Sequence, residues 1–251
     1  MNSYEFTDPK IAHWYQKIGA DVRPPIEIRL DEERFQAFSK WARKEHPQLF
    51  DRMVVGKQQF QMLKTLEYPG KPNADAVTYT MTERGPIIVV PRRISEIDLE
   101  PDLPEINAVF VDCMKHFLKE FPGRRVIRVG KINEYIFDCG DTKSLELVAK
   151  RFSRIEVPDD GEIHIRFNLP DDRHNRIFMI QHVEQKKVQP GQPMEHMGFG
   201  VKVVVDVNNR DVTKGMAEAD WLTVLNTADI YNRKDVFNVL NCRTEEESDG
   251  G

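Results

Sequence analysis

The run Phe199-Gly-Val-Lys-Val-Val-Val-Asp-Val207 constrains this chain more than any other stretch. Valine is stiff at χ1 and favours the pleated surface, so a β-branched block this dense reads as a strand, and a central one. It hands over to a helical pattern: Ala217, Trp221, Val224, Leu225 and Ala228 recur at helical spacing, and a second short helix carries Val236, Phe237 and Leu240. A strand followed by a helix buries both apolar surfaces only if the helix lies on a sheet.

The same logic organises the rest. Pro24-Pro25 ends a leader over 1–23, read as loosely ordered, and launches a strand at Ile26–Leu30. Asp31 is a candidate N-cap, and Leu30 with Phe35 occupies the positions of a hydrophobic staple. Phe35, Phe38, Trp41 and Ala42 make one helical face, which Pro47 ends. Strand patterns follow at 59–63, 76–81 and 87–90, separated by Pro69-Gly-Lys-Pro72 and Arg84-Gly-Pro86, so short turns predict an antiparallel meander. Asp102, Pro104 and Glu105 start a helix whose stripe is Ile106, Val109, Phe110, Cys113, Phe117 and Phe121, and Pro122-Gly123 ends it. A long strand is expected over Arg125–Phe137 with a bulge at Gly130, then a short helix over 143–152. Beyond Pro158-Asp-Asp-Gly161 come paired strands at 162–169 and 176–186.

The expected fold class is α+β in two halves, each a mostly antiparallel sheet with helices on one face. The halves span 24–157 and 158–241, and an acidic tail over 242–251 is expected to be disordered. No residue-level repeat links them, so duplication is no more than a suspicion. In that tail region Glu245, Glu246, Glu247 and Asp249 oppose only Arg243. It therefore carries most of the formal charge of -5, and the remainder is almost balanced. Such a balance offers no global attraction for nucleic acid. Cys113, Cys139 and Cys242 form no CxxC pair, which argues for a reducing, cytoplasmic setting. No apolar run approaches a membrane span, and residues 1–19 lack the apolar core of a signal peptide.

Several segments then resemble a sporadically distributed prokaryotic family of about 250 residues with no assigned activity. The matching residues are Pro24-Pro25-Ile26-Glu27, Arg128-Val129-Gly130, Val203-Val204-Val205-Asp206 and Val236-Phe237. The family's middle strand continues Leu-Arg-Tyr-x-Asn where this chain has Lys131-Ile132-Asn133. The resemblance implies an architecture and no chemistry.

The side chains that could carry chemistry are mostly better explained without it. His164, His174, His182 and His196 lack the spacing of a local metal-ligand pair. Cys113 and His116 are one helical turn apart, but the thiol sits on an apolar stripe, where it behaves as a small hydrophobe. Asp206-Val-Asn-Asn-Arg-Asp211 alternates oxygen ligands like a calcium loop, yet it lacks the turn glycine and closing glutamate and places Arg210 at a ligand position. Gly198-x-Gly200 precedes a strand, whereas a phosphate loop follows one. No metal and no cofactor is therefore expected.

The reading that fits is a non-catalytic protein-binding or assembly module, with a protein partner or self-association as a homodimer expected and sheet edges and amphipathic helices as pairing surfaces. A second is an enzyme or small-ligand protein with Arg128, Tyr135, His164 and His182 converging in a cleft between the halves. A third is weak nucleic-acid binding through Arg124, Arg125 and Arg128, without interleaved aromatics to stack bases.

Overall fold

In the computed structural model, residues 6, 11–27, 32–56, 59–68, 71–91, 103–140, 143–153, 156–158, 161–187 and 195–241 are described. They form one antiparallel sheet with helices on a single face. In chain order the elements are β1 (Ile11–Arg23), α1 (Glu32–Glu45), β2 (Arg52–Val55), β3 (Phe60–Tyr68), β4 (Lys71–Thr82), β5 (Gly85–Pro91) and α2 (Leu103–Glu120). There follow β6 (Arg125–Gly140), α3 (Ser144–Phe152), β7 (His164–Asn168), β8 (His174–Lys187), β9 (Glu195–Asn209) and α4 (Glu218–Asn241). The nine strands lie in the order β2-β3-β4-β5-β1-β6-β9-β8-β7. Mixed helix and antiparallel sheet is as expected; one continuous sheet replaces the two anticipated.

The largest correction concerns the expected leader. Residues 11–23 are a strand at the heart of the sheet, between β5 and β6. Its inward set is Gln16, Ile18, Ala20 and Val22, all buried, while Lys17, Gly19 and Asp21 alternate to the other side. A glutamine and an alanine dilute the period-two signal on the buried face, so the alternation is real but faint. The expected strand at 26–30 is not formed where it is described: Ile26 is buried in irregular chain, and residues 28–31 lie outside the described part, as does Asp102.

Two further corrections follow. The ladder between β1 and β6 slips where Asp21 faces Arg128 and Val22 faces Val126, so the bulge is at Ile127, not Gly130. Asn209 stitches it: its side chain accepts the Val129 amide hydrogen at 2.8 Å and donates to the Ile127 carbonyl at 3.0 Å, supplying bonds the ladder drops there. Gly130 answers a different need, since a Cβ there would sit 2.9 Å from the Asn208 Cβ on β9. The closing pair of helices is one helix, α4, of 24 residues. At 1.5 Å per residue it is about 36 Å long, enough to lie across both parts of the core.

Two core clusters lie beneath the helices. One cluster joins Phe35 and Phe38 of α1 and Phe110, Phe117 and Phe121 near α2 to the inward sides of β1 and β3–β5. The second joins α3 to β6, β8 and β9 through Leu145, Val148, Phe137, Phe178 and Val201. α4 serves both, with Trp221, Val224 and Leu225 in the first and Ala228, Val236 and Leu240 in the second. Aromatic contacts tighten the first: Phe35 stacks on Phe60 at 5.2 Å, and Phe117 on Phe121 at 4.6 Å.

Candidate functional site

Strand alternation gives the sheet two unlike faces. Between its irregularities, β6 points Val129, Lys131, Asn133, Tyr135 and Phe137 under the helices, and residues 128, 130, 132, 134 and 136 away. The register carries this outward set across the sheet. Ile132 pairs with Lys17 and Asp206, Glu134 with Val204, Lys202 with Gln181, and His164 with Gln181 on the far side. No helix among the described elements packs on these side chains; the helices' buried residues belong to the two inner clusters.

Two adjoining hollows mark this open face. The first, about 230 Å³, is floored by Gly19, Gly130, Ile87 and Ile132, with Asp21, Arg84, Arg128 and Asp206 around it. Gly19 and Gly130 are directly opposite in the ladder, so two side chains are missing at one point and the floor drops. Gly85 brings the β4–β5 turn close: it adopts φ +145°, and a Cβ there would collide with the Ala20 carbonyl oxygen. The second hollow, about 570 Å³, shares Lys17 and Ile132 and extends over Val204 and Met179 to His164 and Arg166.

Across both hollows five cations (Lys17, Arg84, Arg128, Arg166, Lys202) face three carboxylates (Asp21, Glu134, Asp206). Lys202 pairs with Glu134 at 2.8 Å, and Arg128 reaches Asp206 at 3.7 Å. Lys17, Arg84 and Arg166 have no ion pair among the described residues. Among the described residues no Phe, Tyr or Trp lines either hollow.

The residues anticipated from sequence are divided between the faces. Arg128 and His164 are on the open face, in different hollows. Tyr135 and His182 are on the helix side: Tyr135 is buried opposite Val203, and His182 is opposite the buried Val201. The four do not meet. The arginine cluster also disperses. Arg124 lies over the Phe121 ring at 5.4 Å and donates to the Pro25 carbonyl at 3.4 Å, while the Arg125 stem packs beside Gly215. Of that trio, Arg128 alone lines a hollow.

Other constellations also prove structural. His174 begins β8 and donates its amide hydrogen to Asp171 at 2.6 Å. Burial pushes the Asp171 pKa up, but amide bonds from His174 and Arg173 outweigh it and hold the carboxyl below its usual value. In the supposed calcium loop, Asn208 donates to Asp206 at 2.9 Å and Asp211 accepts from the Thr213 amide, so these oxygens are used in turns. Among the described residues no group of three His, Cys, Asp or Glu is placed to hold a metal ion. Cys113 is buried, and desolvation drives its pKa up, which suppresses the thiolate. No described helix is long and apolar enough to cross a membrane.

The helix side holds a buried polar cluster that the sequence reading passed over. Lys131, in mid-sheet, is fully buried under α2 and α4. Its Nζ donates to Asp229 of α4 and, at 3.0 Å, to Asn107 of α2. Asn107 in turn donates to the other Asp229 oxygen at 2.7 Å and to Asn226 at 3.3 Å. Burial pushes the Lys131 pKa down, while the Asp229 charge and hydrogen bond push it up. One buried ammonium thus clamps both long helices to the central strand.

Comparison with known proteins adds little. No protein-family model matches the chain, and no curated protein does. Among solved structures it is similar to a Methanococcus jannaschii TBP, at 13% identity over 88% of this chain and 99% of that one, with a TM-score of 0.29. A superposition that loose bears on neither fold nor function.

Proposed function

We propose that this protein is a non-catalytic binding or assembly module that docks a protein partner on the open face of its sheet. The observation that carries the reading is the makeup of that face: Ile87, Ile132, Val204 and Met179 form an apolar strip running over four or more strands, bordered by paired charges. Apolar centre with polar rim is the makeup of a protein interface. Catalytic chemistry is less well supported, because the described residues of the face present no nucleophile next to a base.

The chain is further read as two equivalent units, β1–α1–β2 to β5–α2 and β6–α3–β7 to β9–α4. In each, the first strand takes the centre of the sheet and the last strand of the following meander lies beside it. This reading puts the join at Pro122-Gly123, between α2 and β6, whereas the sequence suggested one at residue 158. It also places the hollows around the seam where β1 meets β6.

The test is site-specific photocrosslinking in a lysate of the native host. A crosslinker at Met179 or Val204 captures a discrete protein, and one at the exposed Leu222 on α4 does not. Equal capture from both positions, or none from the open face, refutes the reading.

A further inference from the structure

We infer that the segment docked on the open face is acidic and amphipathic, with apolar anchors spaced between carboxylates; the inference rests on the docking reading above. Charge complementarity carries it. The chain as a whole has a net charge of -5, yet among the described residues lining the two hollows five Lys and Arg side chains stand against three carboxylates. Pairing has already consumed Arg128 and Lys202, so the uncommitted cations are Lys17, Arg84 and Arg166. Lys17 lines both hollows, Arg84 lines the outer side of one and Arg166 the outer side of the other.

Between these cations the floor is Ile132, Val204 and Met179. A ligand must therefore alternate apolar contacts with anionic ones. The strands from β4 to β7 that line the hollows number seven, and at about 4.8 Å per spacing the strip is about 29 Å long. An extended peptide crosses it in about nine residues. Nucleic acid also offers negative charge, but its bases need stacking partners, and the described lining residues include no Phe, Tyr or Trp. Polypeptide carboxylates with aliphatic neighbours fit better.

The experiment is selection from a displayed library of random twelve-residue peptides, run on the full-length protein and on the K17E/R84E/R166E variant. All three positions are at least partly solvent-exposed, so the variant is expected to fold, and its circular dichroism melt checks that. Peptides selected on the native face are expected to carry net negative charge with two or more aliphatic residues. They should bind the variant at least ten-fold more weakly, and the variant should select net-positive peptides instead. Replacing the cations by alanine gives the same loss without charge reversal. Neutral or basic winners, or acidic winners indifferent to the variant, overturn the acidic assignment. Mixed-sequence single-stranded RNA that displaces the winners at physiological salt overturns it in favour of nucleic acid. If neither protein selects any peptide, or winners ignore Ile132→Glu on the floor, the docking reading itself fails.

Discussion

Removing the two ends of the Lys131–Asp229 pair should be unequal in cost, because the ends are unequally buried. The Lys131 side chain is 0% exposed, whereas Asp229 is 30% exposed and in reach of water. In Lys131→Met the apolar stem is kept, Asp229 rehydrates, and the loss is about 1–2 kcal/mol for charge-assisted bonds. In Asp229→Ala an ammonium stays buried with Asn107 Oδ1 as its remaining partner in the clamp, which costs about 3–5 kcal/mol. That cost has a ceiling, since the lysine can discharge instead. At pH 7 neutralising a group of reference pKa about 10.4 costs about 4.6 kcal/mol, and at pH 9 about 1.9 kcal/mol. The sign follows from proton counting: a lysine whose folded pKa is lowered binds fewer protons folded than unfolded, so stability rises with pH between the two values. Losing Asp229 removes the group that raises the Lys131 pKa and deepens the effect. Thermal unfolding at pH 7 should place Asp229→Ala several degrees below Lys131→Met, at about 2–4 °C per kcal/mol for a chain this size. Raising the pH to 9 should close most of that gap. Equal losses at pH 7, or a gap unchanged at pH 9, would refute the clamp.

Gln16 is buried opposite Asn133, and neither its amide nitrogen nor its oxygen has a hydrogen-bond partner among the described residues. Gln16→Met should therefore stabilise the protein by about 1–3 kcal/mol, read as a higher melting temperature; a loss would mean the amide has a role. Gly130→Ala should destabilise by about 1–3 kcal/mol, because its Cβ would press on the Asn208 Cβ at 2.9 Å and the Val207 carbonyl at 3.2 Å. Amide exchange should then speed up in β6 and β9 before the outer strands. His116 stacks flat on Trp41 at 3.8 Å and lies 3.5 Å from Glu120. Burial lowers its pKa against the pull of Glu120 and Asp112, so its contribution to stability is present above about pH 6.5 and is lost as pH falls from there towards the lower folded pKa. Trp41 emission should be quenched with a midpoint below 6.5, and a midpoint above it would reverse the sign.

What the sequence revealed and concealed has a consistent cause. Elements with undiluted period were legible: the stripe of α2, the valines of β9, and the meander β3–β5, whose turns carry Pro and Gly. β1 was hidden because its buried face includes Gln16 and Ala20, and β2 because Arg52–Val55 is too short to show alternation. The single α4 read as two helices because its apolar residues switch from one core cluster to the other between Trp221–Leu225 and Ala228–Leu240. Lys131 was invisible as a core residue, since a lysine in a strand reads as an outward position until the register places it opposite Ile18.

The open face escaped notice for a related reason. Its residues are drawn a few at a time from seven strands and one turn, and the pieces that matter (Lys17, Gly19, Arg84, Gly130, Ile132, Arg166) are ordinary in their own segments. Only the pairing of β1 with β6, strands more than a hundred residues apart, sets Gly19 against Gly130 and opens the floor. The same pairing aligns Gln16 with Asn133 and Ile18 with Lys131 on the reverse side. One seam thus carries a surface hollow outside and the ionic clamp inside. A partner pressing on Ile132 bears on the strand segment that holds Lys131, one residue away on the opposite face. Loosening the clamp by Asp229→Ala should therefore weaken peptide docking on a face the substitution does not touch. Docking that stayed unchanged while α4 became more exchange-labile would show that the two faces of the seam act independently.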